Sequence, residues 1–119
     1  MKASDIMSVP IVSTRGNVTL GTIKGLFSNN KISSAPVLKE NGEIEGIISN
    51  SDLAAIHNEN LFVKDVMSRR VHVCALNARV KDVANIMTKE GIHHVVAMED
   101  GKIRGMISSL DVIRGLMAE

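Results

Sequence analysis

The feature that most constrains this chain is that it repeats itself. Asp5-Ile6-Met7-Ser8 returns sixty residues later as Asp65-Val66-Met67-Ser68. At the same offset Asn17 meets Asn77, Leu26-Phe27 meets Ile86-Met87, and Ile32 meets Ile92. One residue is then lost. Gly42-Glu43-Ile44-Glu45-Gly46-Ile47-Ile48-Ser49-Asn50-Ser51-Asp52 lies against Gly101-Lys102-Ile103-Arg104-Gly105-Met106-Ile107-Ser108-Ser109-Leu110-Asp111 at an offset of 59, with six of the eleven positions identical. Agreement at fixed spacing over nearly all 119 residues means that one supersecondary unit is built twice. The repeats are residues 1–60 and 61–119, and the polar run Asn58-Glu59-Asn60 marks their junction.

Each repeat reads in the same order. A short lead-in precedes a β-rich segment, Val9 to Ser13 or Arg70 to Cys74. A helix follows, Leu20 to Asn29 or Val80 to Glu90, the second with an apolar face of Val80, Val83, Ala84, Ile86 and Met87. The first is the weaker, because Gly21 and Gly25 each cost ~1 kcal/mol against alanine. Next comes a strand, Ala35 to Leu38 or Val95 to Met98, and a turn carrying Asn41-Gly42 or Asp100-Gly101, pairs that suit tight hairpins. The return strand is Ile44 to Ile48 or Ile103 to Ile107, and the second helix Ser51 to His57 or Leu110 to Met117. The fold class is therefore α+β, as two tandem βαββα repeats. A single repeat is too small to bury both faces of its sheet, so the two sheets are expected to pack together with helices outside.

Composition narrows the function. Fourteen basic and thirteen acidic residues leave a net charge of +1, without the basic excess that displaces counterions from nucleic acid. Cys74 is the only cysteine, which fits a reducing compartment, and no apolar run approaches the ~20 residues of a membrane span. The sequence thus points to a cytoplasmic protein. With no Trp or Tyr and only Phe27 and Phe62, a flat ligand would be held by aliphatic side chains and backbone.

Two constellations carry chemistry. Ser49-x-x-Asp52 and Ser108-x-x-Asp111 each stand between a strand and a helix start. A capping box explains them: hydroxyl and carboxylate satisfy the free amides of the first turn. The same place suits a ligand, because a helix N-terminus favours phosphate while a nearby carboxylate can accept both hydroxyls of a ribose. One side chain can serve both ends. His93-His94 precede a strand in the second repeat, where the first has Ser33-Ser34. Adjacent residues on extended chain point to opposite sides, so the pair does not chelate one metal. With only His57 and His72 besides and no Cys-x-x-Cys, no metal site is expected. No nucleophile motif or phosphate-binding glycine loop occurs, and Cys74 in an apolar strand reads as an inert thiol.

The pattern D-[IV]-M-S, apolar helix, strand, glycine turn and G-x-I-S-x-x-D, present in both copies, resembles the CBS domain, named after cystathionine β-synthase. The resemblance spans essentially the whole chain. It implies tandem pairs related by a pseudo-two-fold axis, two clefts between the copies, and pairing of modules into homodimers. It also implies an adenosine ligand: AMP, ADP, ATP or S-adenosylmethionine. Ser49, Asp52, Ser108 and Asp111 would contact ribose and phosphate, and His93 and His94 the phosphates, with Ser33 in the matching place. Ile11, Val12, Val71 and His72 would hold the base. The protein would then be a regulatory sensor and no enzyme, acting on an unidentified partner protein. The alternative is a structural dimerisation module with empty clefts. Homodimer contacts are expected on the second helices, around Leu53, Ile56, Ile113 and Leu116.

Overall fold

The computed structural model describes all 119 residues. In chain order the elements are α1 (Ala3–Ile6), β1 (Thr14–Arg15), α2 (Leu20–Asn30), β2 (Ser34–Leu38), β3 (Ile44–Ser49), α3 (Asn50–Ala54), α4 (Val63–Val66), β4 (Val73–Ala75), α5 (Val80–Glu90), β5 (His94–Glu99), β6 (Lys102–Ser108) and α6 (Ser109–Ala118). They form two three-stranded sheets, β1-β2-β3 and β4-β5-β6, with the first pair of each parallel and the second antiparallel. The α+β class and its doubling are as the repeat requires.

The compact units are not the sequence halves. One is the continuous segment 12–71; the other joins 1–11 to 72–119. Each sheet is thus completed by the lead-in of the other repeat. In the 12–71 unit, Ser68 bridges to Ile47 and Thr19 to Phe62; in the other, Ser8 bridges to Met106 and Lys2 to Arg79. The lead-in carbonyls also receive helix amides: Leu61 O accepts from Leu20 N at 2.8 Å, and Met1 O from Val80 N at 3.1 Å.

This exchange explains the D-[IV]-M-S motif. Asp5 Oδ2 accepts from Lys2 N and Asp65 Oδ2 from Phe62 N, closing the first turns of α1 and α4. Met7 and Met67 lie over the glycines of β6 and β3. A Cβ on Gly105 would stand 2.6 Å from Met7 Sδ, and one on Gly46 would stand 2.6 Å from the backbone oxygen of Ser68. Only glycine admits that approach.

The core of the 12–71 unit gathers Leu20, Ile23, Phe27, Val37, Ile48 and Leu53 with Val63 and Met67 from the lead-in. Its counterpart holds Val80, Val83, Met87, Val95, Ala97, Ile107 and Val112 with Ala3. Burial of these aliphatic faces is what orders the short strands.

The shift of offset from 60 to 59 falls in the hairpins. Asp100 and Gly101, at φ 51° and 75°, make a two-residue loop between paired Glu99 and Lys102. In the first repeat the loop has one residue more: Lys39 N donates to Glu43 O, Asn41 Oδ1 accepts from Glu43 N, and Gly42 takes φ 88°.

Three expectations change. The β-rich segments at Val9–Ser13 and Arg70–Cys74 are not strands over their length. Pairing begins only at Thr14 and Val73, so Ile11, Val12, Val71 and His72 lie outside the strands. These residues span the passages between units, at 11/12 and 71/72, where the chain leaves one sheet before joining another. The second helix of the first repeat stops at Ala54 instead of His57. The chain turns there, Ile56 N donating to Leu53 O and Ile56 O accepting from Lys24 Nζ, to deliver Leu61 to the start of α2. Leu53 is consequently buried, not part of an exposed stripe.

Candidate functional site

The end of the last strand and the start of the last helix are built alike in both units. In the 72–119 unit, His94 pairs with Ser108 across β5 and β6, and His93 O accepts from Ser109 N at 2.9 Å. In the 12–71 unit, Ser34 pairs with Ser49, and Ser33 O accepts from Asn50 N at 2.9 Å. The ladder therefore seats residues 93–94 and 33–34 against a helix N-terminus. Both pairs lead into the central strand of a sheet, not an edge strand.

The capping box is real at both sites. Asp111 Oδ2 accepts from Ser108 N at 2.8 Å, and Ser108 Oγ accepts from Asp111 N at 3.2 Å. Asp52 Oδ2 accepts from Ser49 N at 2.8 Å, but here Ser49 Oγ donates to the same oxygen at 2.9 Å and meets Ser51 Oγ at 2.8 Å. Each carboxylate is thus held through Oδ2, so Oδ1 takes no part in these cap bonds, and both aspartates are half-buried. Fixing an acceptor beforehand lowers the ordering cost of binding a diol.

The structure brings Ser49, Asp52 and Ser33 together in one unit, and Ser108, Asp111, His93 and His94 in the other. His72 also joins the latter, one residue before β4, with its carbonyl accepting from Val96 N at 2.9 Å. Its Nε2 is shielded from solvent and has no hydrogen-bond partner. Ile11 belongs to this unit, whereas Val12 and Val71 belong to the other; all three are half-buried. Cys74, two residues along from His72, packs beside the core, and its burial pushes the thiol pKa up, which keeps it protonated and unreactive at neutral pH.

One neighbour was missed from sequence. A cleft of about 250 Å³ is lined by Asp111, Arg114 and Gly115 of α6 with Met1, Asp5 and Ile6. Arg114 is not among the residues that the sequence patterns single out. Its position three residues after Asp111 was the available signal, since that spacing puts the two on adjoining faces.

Fold and twin helix starts define a tandem-repeat α+β module. The family model for the CBS domain matches residues 3–58 and 63–118, and the chain belongs to that family. An uncharacterized Methanocaldococcus jannaschii protein, MJ1426, is 31% identical over 98% of this chain and 92% of its own length. Other relatives are longer: the chain spans 39% of MJ1232 (32% identical over 96% of this chain) and 22% of L-aspartate semialdehyde sulfurtransferase (27% over 92%), both from the same organism. Among solved structures, the CBS domain pair of protein MJ0100, in complex with 5′-methylthioadenosine and S-adenosyl-L-methionine, has a TM-score of 0.90 at 25% identity, covering 99% of this chain and 97% of that one. A CBS-domain protein of Agrobacterium tumefaciens has a TM-score of 0.87 at 24% identity, covering 97% and 92%, and shares the fold. No helix is long and apolar enough to cross a membrane.

Proposed function

We propose that this chain is a regulatory module that binds an adenosine ligand (AMP, ADP, ATP or S-adenosylmethionine) and catalyses no reaction. The observation that carries the reading is the pair of carboxylates, Asp52 and Asp111, each locked through Oδ2 at a helix start with Oδ1 left to accept. A ribose diol donates two hydroxyls to such a group, and the adjacent Ser108 and first-turn amides suit phosphate or carboxylate, whereas the Ser49 hydroxyl is already given to Asp52. For a base, Ile11 and His72 supply apolar surface and backbone groups in one unit, and Val12 and Val71 in the other. The ligands in the CBS pair of MJ0100 are both adenosine derivatives, which supports that class.

The two units differ where a phosphate chain would lie. His93 and His94 stand in one, and Ser33 and Ser34 in the other. The histidine site is the one suited to the more anionic ligand. The functional form is a cytoplasmic homodimer whose ligand state is read by a partner protein.

Isothermal calorimetry with AMP, ATP and S-adenosylmethionine tests the reading. Asp111→Ala or Asp52→Ala removes charge-assisted hydrogen bonds of about 1.5–3 kcal/mol, a ten- to hundred-fold loss of affinity. Binding left unchanged by both substitutions places the ligand elsewhere. Replacing His93 and His94 by alanine should weaken ATP more than adenosine.

A further inference from the structure

A cavity of about 400 Å³ opens between α2 and α3 of the 12–71 unit. Phe27, Ile32, Leu53 and Ala54 give it an apolar lining, and Lys24, Ser28 and Asn50 bring the polar groups. Its size falls within the ~300–1,000 Å³ of small-molecule sites. Two departures of the first repeat from the second meet here. α3 ends at Ala54, whereas α6 carries Ile113 at the matching place and runs on to Ala118, packed along α5. Lys24 stands where the second repeat, at the offset of 60, has Ala84. Asn50, Leu53 and Ala54 share one face of α3, and Asp52 lies about 200° round the helix from Asn50. The cavity is therefore on a different face from the carboxylate proposed for the ribose.

We infer that this cavity is a second binding site, for a small apolar molecule that carries one carboxylate. It does not rest on the adenosine reading. The lining holds one cation and no acidic residue. The Lys24 side chain is 34% exposed, and its Nζ donates to Ile56 O at 3.3 Å, which fixes the ammonium in place. Glu59 Oε1 stands 3.7 Å from it, beyond hydrogen-bonding distance, on a side chain 63% exposed. Such an ion pair contributes little and gives way readily. An ammonium has three protons to donate. A carboxylate entering the cavity can therefore take the charge-assisted bond from Lys24 that Glu59 leaves unmade. The Ser28 hydroxyl and the Asn50 amide are further donors in the lining. The rest of the ligand is apolar, because Phe27 and Leu53, buried at 4 and 6% exposure, offer it only hydrocarbon. A phosphate chain suits the cavity poorly, since a single ammonium does not balance its several charges.

The test titrates hydrocinnamate into the isotope-labelled full chain and follows it by NMR. Signals of Phe27, Ile32 and Leu53 should shift and saturate. The uncharged hydrocinnamamide should bind at least about tenfold more weakly, for want of the charge-assisted hydrogen bond. Lys24→Met, which keeps the stem and loses the charge, should erase that preference, and Lys24→Arg should keep it. Ala54→Leu, at an exposed position, should narrow the cavity and weaken both probes. Adenosine-ligand binding by calorimetry should be the same in Lys24→Met as in the unsubstituted chain; a change there would make the two sites one and overturn the inference. An absence of shifts at Phe27, Ile32 and Leu53, or a preference for the acid that survives Lys24→Met, overturns it as well. So do signals of Ile32 and Leu53 that move with protein concentration and ignore the probe, because a second copy then covers the groove.

Discussion

Lys31 and Gly91 close the two long helices at equivalent positions, and only one suits the backbone it occupies. Both are left-handed, at φ 53° and 65°, and both amides return to the helix, Lys31 N to Phe27 O and Ser28 O and Gly91 N to Met87 O. A side chain in that conformation costs about 1–2 kcal/mol, offset in part by the freedom glycine adds to the unfolded chain. Lys31→Gly should therefore stabilise the protein by about 0.5–1 kcal/mol and Gly91→Lys destabilise it by a similar amount. In denaturant, the midpoints should move in opposite directions at unchanged slope. A midpoint that falls for Lys31→Gly would show that the lysine stem contributes more than its backbone costs. Nothing about a lysine announces such a turn, and this detail was not legible in the sequence. The helix-start serines and aspartates were legible, because Ser-x-x-Asp is a local pattern whose geometry follows from its spacing. Neither the saturation of Ser49 by Asp52 and Ser51 nor the isolation of His72 Nε2 was, since both depend on packing.

Among elements, the central strands, the hairpins and α5 were readable, for physical reasons that are separate. Val95 to Met98 is an apolar run and Ile103 to Ile107 is apolar but for Arg104, with Asp-Gly between them, and the five apolar residues of α5 keep a helical period. β1 and β4 have only two and three residues, too few for any period to show. The end of α3 misled because Leu53 and Ile56 continue the spacing of a helix, while Ile56 actually packs on the core after the chain has turned. α2 runs for the same eleven residues as α5 in spite of Gly21 and Gly25, so burial of Leu20, Ile23 and Phe27 outweighs the poor propensity. Gly25 is exposed, and a Cβ there would meet nothing within 4 Å. Gly25→Ala should accordingly raise stability by up to about 1 kcal/mol, seen as a higher midpoint in thermal melts. A lowered midpoint would mean that the helix needs the glycine for a reason other than space.

At the scale of the molecule, the exchange of lead-ins decides which pieces can stand alone. Sequence comparison found the repeats but not the exchange. Asp5-Ile6-Met7-Ser8 and Asp65-Val66-Met67-Ser68 are so alike that either could complete either sheet, and only the path of the chain resolves it. The continuous segment 12–71 contains every residue of its own core, Val63 and Met67 included. A fragment cut at the repeat junction, 1–60, lacks those two and retains a lead-in that belongs to the other unit. Losing a buried aliphatic side chain costs roughly 2–5 kcal/mol. Two such losses match the whole stability of a sixty-residue unit, about 3–9 kcal/mol at the usual per-residue value. The 1–60 fragment also forfeits the acceptor for the first amide of α2, since Leu61 O, which accepts from Leu20 N, is absent. Expressed separately, 12–71 should therefore show a cooperative thermal transition by circular dichroism, and 1–60 should show none. A cooperative transition in 1–60 would mean that its own lead-in, residues 1–11, can fold back onto β3 as Ser68 does in the intact chain.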